Sequence, residues 1–386
     1  MILESKLPNI GTTIFTVMSQ MANEYGAINL SQGFPDFEPP MALLDLCDKY
    51  LKSGYNQYPP MMGIAYLREQ ISKKMANLYQ VNVDPDDEIT VTSGATESLF
   101  VAIQTVVRPG DEVIVFDPAY DSYEPAVTLA GGTTIHIPMS VPGFHIDFDR
   151  LKGALNSRTR LIIVNSPHNP CGSTFRASDI EQLADLTSDY QLFFLSDEVY
   201  EHMVYDGVAH QTLLANEELR EKSFVVSSFG KTYHATGWKI AYCIAPELLT
   251  REFRKIHQFV TFTTHTPTQW ALAEFMEVCP EHYLELPAFY QAKRDLFNSA
   301  MADSGFKLRP SAGTYFQLAD YSALSTLNDR EFSTFLTQKI GVAAIPISVF
   351  YEEPPENRIV RFCFAKQDAT IHEAAEKLCD LEFINP

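Results

Sequence analysis

Short apolar, β-branched runs alternate with stretches of helical periodicity through the middle of this chain, and this alternation restricts the possible folds more than any other feature. The runs end in polar, Gly or Pro residues, as strands do when ligand-binding groups lie at their ends. The pattern predicts an α/β fold whose large domain has a mainly parallel sheet flanked by helices, with the strand ends meeting at one edge. The predicted strands are 111–116, 160–165, 192–196, 224–227 and 240–245.

The C-terminal third of the chain has a different pattern. A helical stretch from 247 to about 278 is followed by a pattern at 280–305 that predicts a long helix, broken or bent near Pro287. Shorter elements then alternate, which predicts a smaller α/β domain. Its expected strands are 313–318, 342–345 and 359–364, and its expected helices lie near 329–339 and 368–381.

These patterns divide the chain into three parts. We predict an N-terminal arm with part of the small domain at 1–45, a large domain at 46–278 and a C-terminal small domain at 279–386. Within the first part, the segment 33–40 contains three prolines and a glycine, so it cannot form regular structure. We expect it to be a long loop that crosses the molecule.

Composition and charge exclude several classes of protein. With 46% hydrophobic and 20% charged residues, the chain resembles an ordinary globular protein. Its 29 basic and 49 acidic residues give a net charge of −20, which disfavours binding to nucleic acid or to an anionic membrane. The sequence contains no secretion signal, no run of the ~20 apolar residues that a membrane helix needs, and no Cys-x-x-Cys pair. We therefore expect a cytoplasmic protein with no disulfide, no metal site, no membrane and no nucleic-acid partner.

Lys231 carries most of the chemical information in the sequence. It lies next to Gly230 in a loop of small residues that follows the apolar run 224–227. A lysine held at a strand end can form a Schiff base with a carbonyl cofactor, which implies pyridoxal 5'-phosphate. For so short a motif taken alone, a solvated lysine in a turn is the alternative.

Two other motifs at the same residues are excluded. A Walker loop needs a glycine five residues before Gly230, where this chain has Val225. A penicillin-binding Ser-x-x-Lys is present at Ser228 and Lys231, but Tyr233 stands where that family has glycine, and no Ser-Asp-Asn occurs.

Asp197 and Tyr200 supply polar groups at a second strand end. Asp197 directly follows the apolar run 192–196, where a carboxylate is costly to bury unless a cation meets it. A protonated pyridine ring is such a cation, and Tyr200 can present its phenol to the same cofactor. A metal cluster of the acidic residues up to His202 is the weaker alternative, because no second histidine stands at helical spacing.

A run of small residues predicts a phosphate site. The run 93–97 follows the β-branched segment 89–92 and precedes a helical pattern at 98–107. Small residues let backbone N–H groups approach a phosphate at a helix N-terminus, although an ordinary N-cap with a capping box would have the same sequence. With a hydroxyl and a cation from elsewhere added, the candidate phosphate ligands are Gly94, Ala95, Thr96, Ser228 and Lys239.

Two further residues point to the same edge of the sheet. Asn169 lies in a turn-rich loop directly after the strand 160–165. Arg361 stands in an otherwise apolar strand, and its planar fork suits bidentate capture of a carboxylate. A structural ion pair is an equally good explanation of Arg361 by itself.

Taken together, these residues resemble fold-type I pyridoxal phosphate-dependent aminotransferases of class I/II, over essentially the whole chain. Three longer runs, 29–37, 116–125 and 265–269, are similar to the kynurenine/glutamine transaminase branch of that family. The short motifs also occur in family order: Asn169-Pro170, Asp197 with Tyr200, Ser228 with Lys231, then Lys239 and Arg361.

The resemblance implies a role for each position. Lys231 would be the Schiff-base lysine and proton carrier, Asp197 the partner of the pyridine nitrogen, and Tyr200 the third catalytic residue. Tyr200 and Asn169 would bond the phenolic oxygen of the cofactor, Tyr120 would stack on its ring, and Tyr58 would reach its phosphate from the neighbouring subunit of a homodimer. The implied contacts of the substrate are Gly33, Asn169, Arg361, Phe15 and His265.

This sequence departs from the aspartate aminotransferases of the family. Its phosphate cation is Lys239, its stacking residue is Tyr120, and the stretch 255–293 contains no second arginine for a dicarboxylate. We therefore expect transfer of an amino group to a 2-oxo acid from a neutral sulfur-containing or aromatic amino acid such as methionine, or from kynurenine or glutamine.

Two other functions share these residues. A carbon–sulfur β-lyase that acts on cysteine S-conjugates would use every cofactor contact, and the sequence does not separate it from a transaminase. A non-catalytic ligand-sensing domain of a transcription regulator is the remote alternative. We do not expect it, because the chain begins almost directly with the substrate-loop region and has no helix-turn-helix pattern.

Overall fold

The structure is a computed structural model that describes residues 3–383. The outermost residues of the predicted terminal domains, 1–2 and 384–386, lie outside the described residues. The helices of the described chain are α1 Ile14–Tyr25, α2 Met41–Lys52, α3 Ala65–Tyr79, α4 Ala95–Val106, α5 Tyr123–Ala130, α6 Phe148–Ala154, α7 Ala177–Thr187, α8 Glu217–Arg220, α9 Phe229–Thr232, α10 Glu247–Val260, α11 Thr266–Val278, α12 Glu281–Ala300, α13 Asp329–Phe335 and α14 Asp368–Cys379.

The strands fall into three sheets. They are β1 Ile28–Asn29, β2 Ile89–Thr92, β3 Glu112–Asp117, β4 Thr133–Pro138, β5 Thr159–Asn165, β6 Phe193–Asp197, β7 Ser223–Ser228, β8 Ala241–Ile244, β9 Lys307–Leu308, β10 Phe316–Asp320, β11 Val342–Ala343, β12 Ile345–Pro346 and β13 Ile359–Cys363.

The largest sheet has seven strands in the order β2-β8-β7-β6-β5-β3-β4. The five strands from β7 to β4 are parallel, whereas β8 is antiparallel to both β7 and β2. The mainly parallel sheet is therefore confirmed, but the expectation that all five predicted strands end at one edge is wrong for β8. Because β8 runs in the opposite direction, its beginning lies beside the ends of the parallel strands.

Both faces of this sheet are buried, which explains why its strands have continuous apolar runs and not alternating ones. Along β3, Val113 and Val115 belong to one hydrophobic cluster, and Ile114 and Phe116 belong to another. Successive side chains of a strand point to opposite faces, so the two clusters are the two sides of the sheet. The sheet is thus the middle layer of three.

The remaining strands pair the beginning of the chain with its end. Strands β12, β13, β10 and β9 form an antiparallel sheet, and β1 pairs in parallel with β11 through Ile28 and Val342. A small α/β domain that combines the N-terminal segment with the C-terminal part agrees with this pairing. The boundaries at 45 and 278 stay a prediction.

Two helical predictions need correction. The stretch 247–278 is not one helix, because α10 ends at Val260 and α11 begins at Thr266. The next helix, α12, is 20 residues long and does not break at Pro287, which lies inside it; a bend there stays a prediction. A proline removes one helical hydrogen bond, and the buried face of α12 offsets that loss, since packing supplies most helical stability in proteins. That buried face consists of Tyr283, Leu286, Tyr290, Arg294 and Phe297.

Two other findings bear on the sequence expectations. No helix within residues 3–383 is both long enough and apolar enough to cross a membrane. All six cysteines are unpaired; Cys171, Cys243 and Cys363 are buried, and the other three are partly buried.

Candidate active site

A cavity of about 250 Å³ lies at the edge of the seven-stranded sheet where the parallel strands end. Asp197 is the last residue of β6 and Ser228 the last of β7, while Lys239 comes two residues before the antiparallel strand β8. Opposite strand directions therefore bring these three side chains to one place. The sequence-predicted residues that line the cavity are Gly33, Gly94, Ala95, Thr96, Tyr120, Asn169, Asp197, Tyr200, Ser228, Lys231 and Lys239.

Lys231 lies in the short helix α9, which begins directly after β7. Its Nζ donates hydrogen bonds to the backbone oxygen of Gly33 (3.2 Å) and to the hydroxyl of Tyr315 (2.9 Å). The ammonium also lies 5.3 Å from the ring centroid of Tyr200. Burial lowers the pKa of Lys231 to about 8, because the uncharged amine is favoured away from water. Near neutral pH this amine can therefore both give up and accept a proton.

Asp197 is almost completely buried and faces the same cavity. Its carboxylate accepts a hydrogen bond from the Tyr123 hydroxyl (2.8 Å), and Asn165 fixes the backbone by donating to the Asp197 carbonyl (2.8 Å). Burial raises the pKa of Asp197 to about 6, and the bond from Tyr123 partly opposes that change. A cationic ligand at this carboxylate would reverse the penalty of burial.

The opposite wall of the cavity is built to meet an anion. Helix α4 begins at Ala95, and the N–H groups of Ala95 and Thr96 have no hydrogen-bond acceptor within residues 3–383. Gly94 has a φ of 84°, and a Cβ there would lie 3.2 Å from Lys239 Nζ. Glycine at this position thus allows an ammonium to approach the positive end of a helix, which makes an anion site.

A buried contact between Glu97 and His257 supports this wall on the side away from the cavity. Glu97 of α4 accepts a hydrogen bond from the Ser93 backbone N–H (2.5 Å) and contacts His257 Nδ1 (2.6 Å). The other ring nitrogen of His257 bonds the backbone oxygen of Met61 (3.0 Å). The turn before α4 is therefore fixed by side chains of two helices, which sequence analysis did not reveal.

Arg361 lies behind Asn169 and is fully buried. Its guanidinium donates to Asn169 Oδ1 (2.7 Å) and to the backbone oxygen of Ser31 (2.8 Å), while its Nε is buried without a partner. The guanidinium carbon lies 3.8 Å from the ring centroid of Phe316 and 5.3 Å from that of Phe15. No acidic side chain of the described chain forms an ion pair with Arg361, so the structural ion pair considered from the sequence is absent there.

Four of the predicted site residues do not line this cavity: Tyr58, His265, Arg361 and Phe15. Tyr58 is exposed, and its ring lies 5.5 Å from that of Phe262. His265 precedes α11 and contacts the Thr268 hydroxyl (2.6 Å). The two segments are linked by a hydrogen bond from Thr266 to the backbone of Gln57 (2.7 Å), so Tyr58 and His265 belong to one surface. Their roles stay predictions. Tyr58 was expected to reach the cofactor phosphate in the cavity of a neighbouring subunit, so its position outside the cavity of its own chain does not contradict that role.

Sequence reasoning missed three groups that bond the central residues. Tyr315 contacts Lys231, and Tyr123 and Asn165 fix Asp197. Tyr123 stands in the run 116–125 that carried the family resemblance, which was a usable signal. Tyr315 lies just before β10 in a segment with no recognisable motif. It is 84 residues from Lys231 in the sequence and contacts it only in the folded chain.

The comparisons with known proteins agree with this geometry. The family model of class I and II aminotransferases matches residues 25–378. Methionine aminotransferase of Escherichia coli is 49% identical over 381 residues, 99% of each chain. A probable N-succinyldiaminopimelate aminotransferase of Mycobacterium tuberculosis is 37% identical over 97% of each chain. Kynurenine–oxoglutarate transaminase of Dictyostelium discoideum is 32% identical and covers 97% of this chain and 95% of its own length.

Among solved structures, a crystal structure of an Escherichia coli protein with an identified methionine aminotransferase function matches with a TM-score of 0.97 at 49% identity. The match covers 99% of this chain and 100% of that one.

This chain belongs to the class I and II aminotransferase family, and its activity is that of an aminotransferase. Enzymes of this family depend on pyridoxal phosphate and act on amino acids and 2-oxo acids. The family, the fold class and the enzyme class predicted from the sequence are confirmed.

Proposed function

We propose that this chain transfers the amino group of methionine, or of a similar neutral sulfur-containing or aromatic amino acid, to a 2-oxo acid. The observation that carries the proposal is that Lys231, with its pKa near 8, and Asp197 line one cavity whose other wall is the free N-terminus of α4. The 49% identity to a methionine aminotransferase over nearly the full length supports the choice of substrate.

The groups of the cavity fit pyridoxal phosphate at both ends. The free amides of Ala95 and Thr96 and the ammonium of Lys239 suit a phosphate. The buried carboxylate of Asp197, which gains a positive partner there, suits a protonated pyridine. When bound, this cofactor supplies a carbonyl carbon that bonds amines and a cationic ring that accepts the electron pair left by the α proton.

Each protein group then has a defined task. Lys231 Nζ would bind the cofactor, take the α proton and return it, and the oxygen of Gly33 and the hydroxyl of Tyr315 hold that nitrogen in place. Asp197 keeps the ring nitrogen protonated. Tyr200, Asn169 and Tyr120 line the cavity; the first two would donate to the phenolic oxygen, and Tyr120 would cover the ring.

Arg361 has the chemistry to hold the α-carboxylate of the substrate. Its Nε lacks a partner, and its other two nitrogens are fixed by Asn169 and Ser31, so the fork is oriented before a ligand arrives. The aromatic rings of Phe15 and Phe316 flank it and favour an apolar side chain on the substrate.

The pocket has no guanidinium for a second carboxylate. Within the described chain, the cations that line the cavity are Lys231 and Lys239, and both have tasks at the cofactor. Desolvating the second carboxylate of aspartate without a fixed partner would cost about 2 kcal/mol or more. We therefore expect methionine to be preferred over aspartate by roughly 30-fold.

Steady-state specificity constants for methionine and aspartate, measured with one 2-oxo acid, test this proposal. Product analysis with a cysteine S-conjugate as substrate separates transamination, which yields the corresponding 2-oxo acid, from β-elimination, which yields pyruvate, ammonia and a thiol. A preference for aspartate would overturn the substrate assignment. Ammonia as the main product would overturn the proposed reaction.

We also propose that two copies of the chain form a dimer in which Tyr58 and His265 of one subunit complete the cavity of the other. The exposure of Tyr58 and Phe259, which are 83% and 86% accessible, supports a covered surface in the assembly. Sedimentation of the purified enzyme measures its mass. Tyr58→Phe should weaken cofactor binding about tenfold, whereas Tyr25→Phe, another exposed tyrosine, should not. A monomer with full cofactor affinity contradicts the proposal.

A further inference from the structure

Three metal-ligand side chains that the proposed function does not use meet at the edge strand of the large sheet. Glu124 lies in the first turn of α5, His136 in β4, and Glu352 follows the 3₁₀ turn Ile347–Phe350. One ring nitrogen of His136 and one carboxylate oxygen of each glutamate lie within 4.8 Å of one another. Within residues 3–383, no other three histidine, cysteine or acidic side chains come this close.

A fourth residue orients the histidine. His136 Nδ1 lies 2.7 Å from Asp117 Oδ1, and Asp117 is 2% exposed. A carboxylate accepts the Nδ1 hydrogen, which leaves the lone pair on Nε2. His136 Nε2 is buried and has no hydrogen-bond partner. A histidine whose one nitrogen is fixed by a carboxylate and whose other nitrogen is free is the arrangement that metal sites use.

The distances agree with this interpretation. Ligand atoms about 2.1 Å from a tetrahedral ion lie about 3.4 Å from one another. The observed limit of 4.8 Å is somewhat wider, and both glutamates are exposed on their outer side. Small rotations of the two exposed carboxylates would therefore close the site around the imidazole that Asp117 holds.

The local charge also favours a cation. Asp117, Glu124 and Glu352 place three carboxylates around the ring of His136. The surroundings of the ring thus stabilise positive charge. The chain as a whole has a net charge of −20, which increases the concentration of cations near its surface.

We propose that Glu124, His136 and Glu352 bind a divalent first-row transition-metal ion, with Asp117 as the group that orients His136. Imidazole with carboxylates suits Zn²⁺ and its neighbours in the series, whereas Mg²⁺ and Ca²⁺ prefer oxygen ligands alone. Water would complete the coordination on the exposed side. The site lies outside the catalytic cavity, and none of its ligands lines that cavity.

The ion would join two parts of the chain that already touch. The backbone N–H of Glu352 donates to Asp117 (3.0 Å), and the N–H of Ala119 donates to the oxygen of Phe350 (2.7 Å). Tyr120, the next residue along, lines the catalytic cavity. An ion held by Glu352 and His136 would therefore stabilise the segment that carries the ring-stacking residue.

Calorimetric titration of the holoenzyme with Zn²⁺, after chelator treatment and removal of the chelator, tests this inference. We expect one saturable site per chain and a rise in melting temperature with Zn²⁺ concentration, because an ion that binds only the folded state stabilises it. Mg²⁺ at the same concentration should bind at least tenfold more weakly. No saturable binding below about 1 mM Zn²⁺ would overturn the proposal, as would equal binding of Mg²⁺.

Variants assign the site to these residues. Glu124→Gln and Glu352→Gln each remove one exposed charge, so both should fold, and each should weaken Zn²⁺ binding at least tenfold. Glu353→Gln removes the neighbouring exposed charge, which is not in the cluster, and should leave the affinity unchanged. Unchanged affinity in both cluster variants, or an equal loss in Glu353→Gln, would refute the assignment. The melting temperature without metal reports folding in every case.

Discussion

Two regions of this enzyme each bury a lysine and a carboxylate, and the arrangements differ. Lys74 Nζ contacts Glu201 directly at 2.6 Å, and the hydroxyls of Tyr79 and Tyr242 add two more hydrogen bonds to the same carboxylate. Lys231 and Asp197, by contrast, form no ion pair; both line a cavity. Lys74 and Glu201 neutralise each other's charge, whereas Lys231 and Asp197 leave room for a ligand between them.

The pKa values reflect this difference. Burial alone would raise the pKa of Glu201, but the contact with Lys74 outweighs it and keeps that pKa well below its ordinary value, so the carboxylate stays charged. Burial dominates at the cavity, where the pKa of Asp197 rises to about 6 and that of Lys231 falls to about 8. Buried charges that are kept apart are ready for proton transfer, whereas charges in direct contact compensate each other and stay ionised.

Replacing the cavity lysine should have the largest effect. Lys231→Ala removes the amine that binds cofactor and moves the α proton, so turnover should fall by about 10⁴-fold or more. Cofactor should be retained in part, because Asp197 and the α4 N-terminus are separate anchors. Stopped assays with methionine measure the loss, and Lys377→Ala, an exposed lysine, is the control. Substantial transamination by Lys231→Ala without added small amines would contradict the comparison.

Asp197→Asn should reduce turnover by about 10²- to 10³-fold, since an amide cannot hold the ring nitrogen protonated. The fold should remain intact, because the replaced carboxylate is costly to bury before cofactor binds. The rate of exchange of the substrate α hydrogen with solvent measures the effect. A variant that exchanges this hydrogen as fast as the unmutated enzyme would show that Asp197 has another role.

Lys74→Met should act on stability instead of catalysis. It leaves Glu201 buried without its cation, which we expect to lower the free energy of unfolding by about 3–5 kcal/mol. The double variant Lys74→Met with Glu201→Gln should recover part of that loss, because no charge is left unpaired. Denaturant unfolding measures both. If the single variant were as stable as the unmutated enzyme, Lys74 and Glu201 would not form the pair described above.

The smallest effect is a pH dependence. Only the uncharged amine of Lys231 attacks a carbonyl, so the rate at which cofactor attaches to the apoprotein should rise about tenfold per pH unit below pH 8 and level off above it. Asp197 raises the pKa of Lys231 through its negative charge, so Asp197→Asn should move the midpoint to lower pH. A midpoint near 10.5, the ordinary lysine value, would mean that the amine is solvated.

Short sequence patterns were enough to identify the site residues that follow buried strands. Lys231, Asp197 and Asn169 follow buried strands, so the carboxyl edge of a parallel sheet was predictable as their meeting point. The N-terminus of α4 was predictable from small residues after β2. Each of these patterns spans only a few residues, and the residues that it identified line the cavity of the folded chain.

Other features depended on contacts that no local pattern specifies. The reversed direction of β8 was not visible in an apolar run that would suit either direction. Tyr315 approaches Lys231, and Glu352 approaches His136, only because the C-terminal segments pack on the large sheet. Pro287 suggested a broken or bent helix, and tertiary packing outweighed the local preference for a break.

One of the two hydrogen-bond acceptors of the catalytic amine, Lys231 Nζ, is a backbone oxygen. The oxygen of Gly33 accepts from Lys231 and also from Tyr315 (2.6 Å), and every amino acid has the same carbonyl. Substitution at position 33 therefore cannot delete this acceptor. It can only displace the chain, since a Cβ there would lie 2.6 Å from the Phe316 ring. This one contact can therefore be weakened only by a change in the path of the main chain or in backbone chemistry, such as an ester in place of the amide that follows Gly33, which leaves every side chain the same.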